Sequence, residues 1–257
     1  MVKNSKFRKL QKLNFIVSLW VALSILLVYS TSISSASGYS IGLFSKDESP
    51  FGKPYDFWVA KWWNWTASIP LDPATNTFAG LKENGCFIHK EGPMVMLMDP
   101  AAGGTINQIC KISSGQGILI NIWSGECDTA TKNYEQASFN KLSECARGYD
   151  LGKVGGQVKV DNIPLAKLEA QDYSTNIHDN VTEIYTRQFN IYLPTNTHMA
   201  VDKFGIFSAA AHWWGLILKP LPPGPHIISI QNNVQPTSVS GPGNVNRAQI
   251  TYSITVG

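Results

Sequence analysis

Acidic side chains are absent from the first 36 residues of this 257-residue chain, and charge of either sign is scarce throughout, at 15%. No Gly-x-y or heptad period runs along it, which excludes collagen-like and coiled-coil architectures. The four cysteines form no C-x-x-C pair, so neither a zinc knuckle nor thioredoxin chemistry is indicated. There is no G-x-x-x-x-G-K-[ST] phosphate loop, no H-E-x-x-H zinc helix and no EF-hand loop. None of His89, His178, His198, His212 and His226 is spaced to share a metal with another, and no histidine follows Cys145 until His178, against a blue-copper site. Gly38-Tyr39-Ser40-Ile41-Gly42 spells G-x-S-x-G but lacks the preceding strand that a nucleophile elbow needs. It reads as chance. No cofactor or metal is expected.

What is present begins with a leader. Lys3, Lys6, Arg8, Lys9 and Lys12 precede an apolar run from Phe15 to Tyr29, and Ser34-Ser35-Ala36 offers a cleavage site. That layout is a secretory signal peptide over residues 1–36. The rival is an uncleaved anchor through residues 13–33. This fifteen-residue run rises roughly 22 Å as a helix, short of the roughly 20 residues a bilayer core requires, so cleavage is favoured. Either way the body lies beyond the membrane, secreted or at the cell surface. Without the leader the chain carries 16 basic and 18 acidic groups, a net of −2, and no field to hold nucleic acid.

An even set of cysteines fits an oxidising compartment. Four allow three pairings; Cys86–Cys110 with Cys127–Cys145 is favoured, since each closes a local loop worth about 3 kcal/mol in chain entropy. Asn64-Trp65-Thr66 and Asn180-Val181-Thr182 are glycosylation sequons, and Asn180 is the better candidate because Asn64 lies in a segment expected to pack inward.

Residues 37–53 read as a tether and 54–257 as a single domain. Trp58, Trp62, Trp65 and Ile69 recur at helical spacing, predicting a helix from Tyr55 to Ser68 between Pro54 and Pro70. After it the pattern switches to period two. Met94, Met96 and Met98 alternate with Val95 and Leu97; further strands are expected at Ile109–Ile112, Gly117–Trp123, Val158–Val160, Phe189–Leu193 and Ile228–Ile230. Ala211–Leu218 is apolar on both faces and should be a central strand. In the last strand Ile250, Tyr252, Ile254 and Val256 point inward. A short helix is expected within residues 132–147, and a long polar loop over 232–247. The fold expected is all-β, an antiparallel β-sandwich with one N-terminal Trp-rich helix.

Trp62-Trp63-Asn64-Trp65 with Ser68-Ile69-Pro70, Gly92-Pro93 before a strand, and Leu221-Pro222-Pro223-Gly224-Pro225-His226 before another carry a resemblance. From about Trp58 to its end the chain resembles a group of uncharacterised secreted proteins of archaea and bacteria. The resemblance implies export and a β-sandwich. It carries over no activity and no functional residues.

Chemistry is thinly marked. The three methionines could hold Cu(I) through stacked thioethers, but an adaptable core strand explains them better. Seven tryptophans follow the leader, and exposed indoles make sugar-stacking platforms. Trp63 lies off the helical stripe and is expected at the surface; Trp123, His212 and Trp214 are the other candidate ligand-binding residues. The function expected is a non-catalytic extracellular or cell-surface binding protein, for a glycan or another envelope component. Alternatives are a carboxylate-dependent hydrolase around His212, with Asp56, Asp99 and Glu126 the first acids to check, and a structural envelope component.

Overall fold

The computed structural model describes residues 40–72, 77–98, 104–148, 154–171, 175–199, 201–234 and 246–257. The expected leader, residues 1–36, lies outside them, and so does Asp99. Among the described residues no helix is long and apolar enough to cross a membrane.

Helix α1 spans Tyr55–Ala67. Pro54 supplies the pre-set φ that starts it, Asp56 places a negative charge in the first turn, and the Ser68 hydroxyl donates to the Trp65 carbonyl at its end (2.6 Å). A two-residue ribbon follows, β1 (Leu71–Asp72) with β2 (Thr77–Phe78). Then come β3 (Ile88–Glu91), β4 (Met94–Leu97), β5 (Gly104–Ile112) and β6 (Gly117–Asp128). Helix α2 (Phe139–Gly148) lies within the polar stretch where a short helix was expected, after a 3-10 turn at Lys132–Tyr134. The rest is strand: β7 (Val154–Val160), β8 (Ile163–Gln171), β9 (Thr175–Asp179), β10 (Thr182–Tyr185), β11 (Phe189–Leu193), β12 (Gly205–Leu218), β13 (Gly224–Val234) and β14 (Asn246–Val256). The expected 232–247 loop is shorter at both ends, and residues 235–245 lie outside the described set.

Besides the β1–β2 ribbon, the described residues form two six-stranded sheets. One runs β10-β12-β6-β4-β3, with β11 also paired to β12; the other runs β5-β14-β13-β7-β8-β9. The protein is β-rich as expected, but the sheets are mixed. In each sheet one pair is parallel: β4 with β6, and β14 with β5. Alternating burial looks the same in either orientation, so the sequence pattern could not separate them. One core draws on both sheets: Val95, Leu97, Ile118 and Leu216 from the first meet Val158, Ile228, Ile250 and Ile254 from the second. The Tyr252 hydroxyl reaches across to the backbone of Met98, accepting its N–H at 3.0 Å.

From Ala209 to Leu218 β12 is buried on both faces, as the composition of Ala211–Leu218 predicts. Its other face meets α1. There Trp58, Trp62 and Trp63 pack with Met94, Met96 and Trp213, so the methionines are core residues. Trp58 and Trp62 each donate an indole N–H to a carbonyl, of Pro50 and Leu97, both at 2.9 Å. Burying one such methionine contributes roughly 2 kcal/mol.

Two expectations need correction. Trp63 is not exposed: only 9% of it is accessible, because α1 touches two surfaces, the sheet face and the neighbouring strand β11. The single apolar stripe therefore underestimates its buried arc. Residues 41–53 are no tether either. Leu43 bridges to Leu218, the Phe44 N–H donates to the Ile217 carbonyl (3.0 Å), and Phe44 and Phe51 pack beside the α1 core. Apolar side chains between the polar ones dock this stretch on the end of β12.

The disulfides are Cys86–Cys110 and Cys127–Cys145, the favoured pairing. The second ties α2 to β6.

Candidate functional site

A bulge builds the site. Across the β12–β6 pair Trp214 faces Trp123 while Gly215 faces Asn121, leaving Ile122 as the extra residue. The extra residue inverts the alternation of β6, so Trp123 shares a face with Trp214 and His212 instead of pointing at α1. Gly215 is required beside it: a Cβ there would collide with the Ile120 carbonyl and the Trp213 ring. Three of the four expected ligand-binding residues, Trp123, His212 and Trp214, thus come together. Trp63 lies on the opposite side of the sheet, within the α1 core.

Strand β10 adds two residues that sequence reasoning missed. Its register sets Glu183 opposite Trp214 and Tyr185 opposite His212. The His212 ring, 2% exposed, meets the Glu183 carboxylate through Nε2 at 2.8 Å. Tyr185 donates its hydroxyl to the same carboxylate oxygen at 3.0 Å. The Tyr185 ring lies on His212 with centroids 4.1 Å apart and planes 5° from parallel, while Trp214 presents its edge at 4.7 Å. Arg147, from the last turn of α2, places its guanidinium 5.7 Å from the Tyr185 centroid. The column runs from buried indole through imidazole and phenol to an exposed cation.

Electrostatics follow the geometry. Burial pushes the Glu183 carboxyl up, but hydrogen bonds from His212 and Tyr185, attraction to His212 and a contact from Trp214 together hold it below its ordinary value. Glu183 is therefore an anion at neutral pH. Tyr185 remains 43% exposed. Further along the same face Tyr192 lies opposite Ile206, both exposed. The partners of the two tyrosines, Ile206 and His212, stand six positions apart on β12, about 20 Å of strand. Between them the Gln188 amide donates to the Ser208 hydroxyl at 3.0 Å.

The other acids do not join this cluster. Asp56 sits on α1, where it pairs with Arg187 (2.6 Å). Glu126 and Asp128 fall on the α1 side of β6, since Glu126 is opposite Ala211 of that core. Burial above all, then the nearby Asp128, pushes the Glu126 carboxyl well above its ordinary value, and its Oε1 is unpartnered among the described residues. Asp128 instead caps the end of β6, accepting from the Ala130 and Thr131 amides at 2.7 and 3.1 Å. Among the described residues no three His, Cys, Asp or Glu side chains gather closely enough to hold a metal ion.

Glu183 and Tyr185 were hard to find because β10 has four residues and no apolar alternation of its own. The spacing of an acid and an aromatic two apart was the only signal, and it acquires meaning through register. No protein-family model and no curated protein matches the chain. Among solved structures, a cysteine protease inhibitor from Entamoeba histolytica aligns over 64% of this chain and 96% of its own, at 13% identity and a TM-score of 0.23. A likeness that low carries no argument about fold or function.

Proposed function

We propose that this is an exported, non-catalytic binding protein that takes a glycan on the β10–β12 face, its two sheets stacked as a β-sandwich beneath. The observation that carries the reading is the exposed Tyr185 ring, immobilised on buried His212 and tied to it through Glu183. Sugar rings stack on aromatic faces through their C–H surfaces, and an aromatic already fixed in place loses little entropy on binding. The anionic Glu183 supplies an acceptor for sugar hydroxyls, Arg147 a donor, and Tyr192 a second ring along the same face. Export is supported by two disulfides and by a leader with the layout of a signal peptide.

The test is a calorimetric titration with soluble polysaccharides of differing composition, with indole emission followed in parallel. Binding of at least one polymer is expected, with a change in emission from Trp123 and Trp214 and at least a tenfold weakening in Tyr185→Ala. Silence across a broad panel in both readouts overturns the reading. Release of reducing ends during the titration would replace it with hydrolysis.

A further inference from the structure

The two Asn-x-Thr triplets, Asn64-Trp65-Thr66 and Asn180-Val181-Thr182, are equivalent as sequence, and the fold makes them different. We infer that Asn180 carries an N-linked glycan in the folded, exported protein and that Asn64 does not. This rests on the export half of the proposed function and is independent of what the protein binds.

N-glycosylation joins the amide nitrogen Nδ2 to the anomeric carbon of an oligosaccharide carried on a lipid phosphate. The Nδ2–C1 bond forms as the C1–O bond to phosphate breaks; the amide gives up one proton and the lipid phosphate departs. Nδ2 therefore keeps one hydrogen of its two.

At Asn64 both hydrogens are committed. Nδ2 donates to the Ala60 carbonyl within α1 at 3.1 Å and to the Asn190 carbonyl of β11 at 2.8 Å. The amide oxygen accepts the Tyr192 N–H at 3.1 Å, so the side chain is paired like a strand residue along the free edge of β11. Thr66, the third residue of the triplet, is buried and donates its hydroxyl to the Trp63 carbonyl at 3.2 Å. A sugar on Nδ2 would have to displace the β11 contact and wedge α1 from the sheet edge. Transfer onto the unfolded chain does not escape this, because the modified molecule could not seat α1.

At Asn180 one hydrogen suffices. The residue is exposed, in the turn between β9 and β10, with a φ of 56° that asparagine tolerates better than most residues. Among the described residues its Nδ2 makes one hydrogen bond, to the Leu165 carbonyl at 2.9 Å. The remaining hydrogen can be exchanged for C1 without loss of that bond, and the glycan then projects into solvent.

The full chain, secreted from an N-glycosylating host and collected as soluble protein, decides it. Glycopeptide mass spectrometry is expected to find sugar on Asn180 alone. The mobility shift removed by an N-glycanase should be lost in Asn180→Gln and in Asn180→Gly, the second accommodating the turn's φ, and kept in Asn64→Gln. Secreted protein with a bare Asn180, or a folded fraction with sugar on Asn64, overturns the inference. Export fails separately: free thiols at the four cysteines in material from the source cells would refute that reading, whatever the sequons carry.

Discussion

Tyr185 lies flat on His212, with ring planes 5° apart, and the carboxylate of Glu183 receives both the tyrosine hydroxyl and the imidazole Nε2. An aromatic that would otherwise swing on an edge strand is thereby fixed at two points, its ring face and its hydroxyl. The arrangement is rigid at its base and open at its rim.

Removing the phenol should show both properties. Tyr185→Ala is expected to lower unfolding stability by about 1 kcal/mol, the usual worth of such a pair. Tyr185→Phe keeps the stacking and gives up the hydroxyl bond, so it should retain polysaccharide binding. Urea denaturation beside calorimetry checks both, and a Tyr185→Phe variant as weak as Tyr185→Ala would contradict the stacking account.

Glu183 predicts an acid-side signature. Its carboxyl is held below the ordinary 4.5, so its stabilisation is complete above that value and lost as pH falls through the lowered native one. Glu183→Gln should unfold more readily than the parent at pH 7, with the two curves meeting in acid. Parallel curves across the whole range would show that the carboxylate contributes nothing as a charge.

Glu126 has the opposite sign. Its native pKa is raised well above 4.5, so the folded protein loses stability as pH rises from that value toward the native one. Glu126→Gln removes the ionisation and should raise the melting temperature at pH 7–8 relative to the parent, with no gain at pH 4. Thermal unfolding at the two pH values measures it. Equal melting temperatures at pH 8 would mean that the buried acid already has a compensating partner.

The edge of β11 gives a fourth test. Asn64 covers the Asn190 carbonyl and the Tyr192 N–H, and two turns earlier on the same helix Asp56 grips Arg187 between β10 and β11. Asn64→Ala should cost about 1 kcal/mol and leave two strand-pairing groups open. Light scattering is expected to report self-association of this variant at concentrations where the parent stays unassociated; identical scattering would show that α1 shields the edge by bulk alone.

Much of the architecture was legible in the sequence for physical reasons. The tryptophan spacing at Trp58 and Trp62, the two-sided apolarity of Ala211–Leu218 and the alternation from Ile250 to Val256 each report burial directly, and burial is what periodicity encodes. The cysteine pairing favoured for its short loops, one of three open to the sequence, is the one observed. Parallel pairing of β4 with β6 and of β14 with β5 was hidden because orientation leaves no mark on alternation. Trp63 was misplaced because a helical stripe assumes one contacting surface and α1 has two. Within the site, Trp123, His212 and Trp214 were visible as unusual residue types. Their convergence depends on one bulged residue, Ile122, and their polar partners come from a strand whose register only the fold supplies.

β5 has a further consequence through its neighbour. Among the described residues its one long strand partner, β14, is supplied by residues 246–256, and β14 stands second from the sheet's edge, between β5 and β13. A chain emerging from the ribosome therefore cannot complete this layer until those residues are available, and until then Ile106 and Ile112 have no sheet to join. Contacts so distant in sequence form slowly. A polypeptide that stays open this long is suited to being threaded through a narrow translocation pore before it closes.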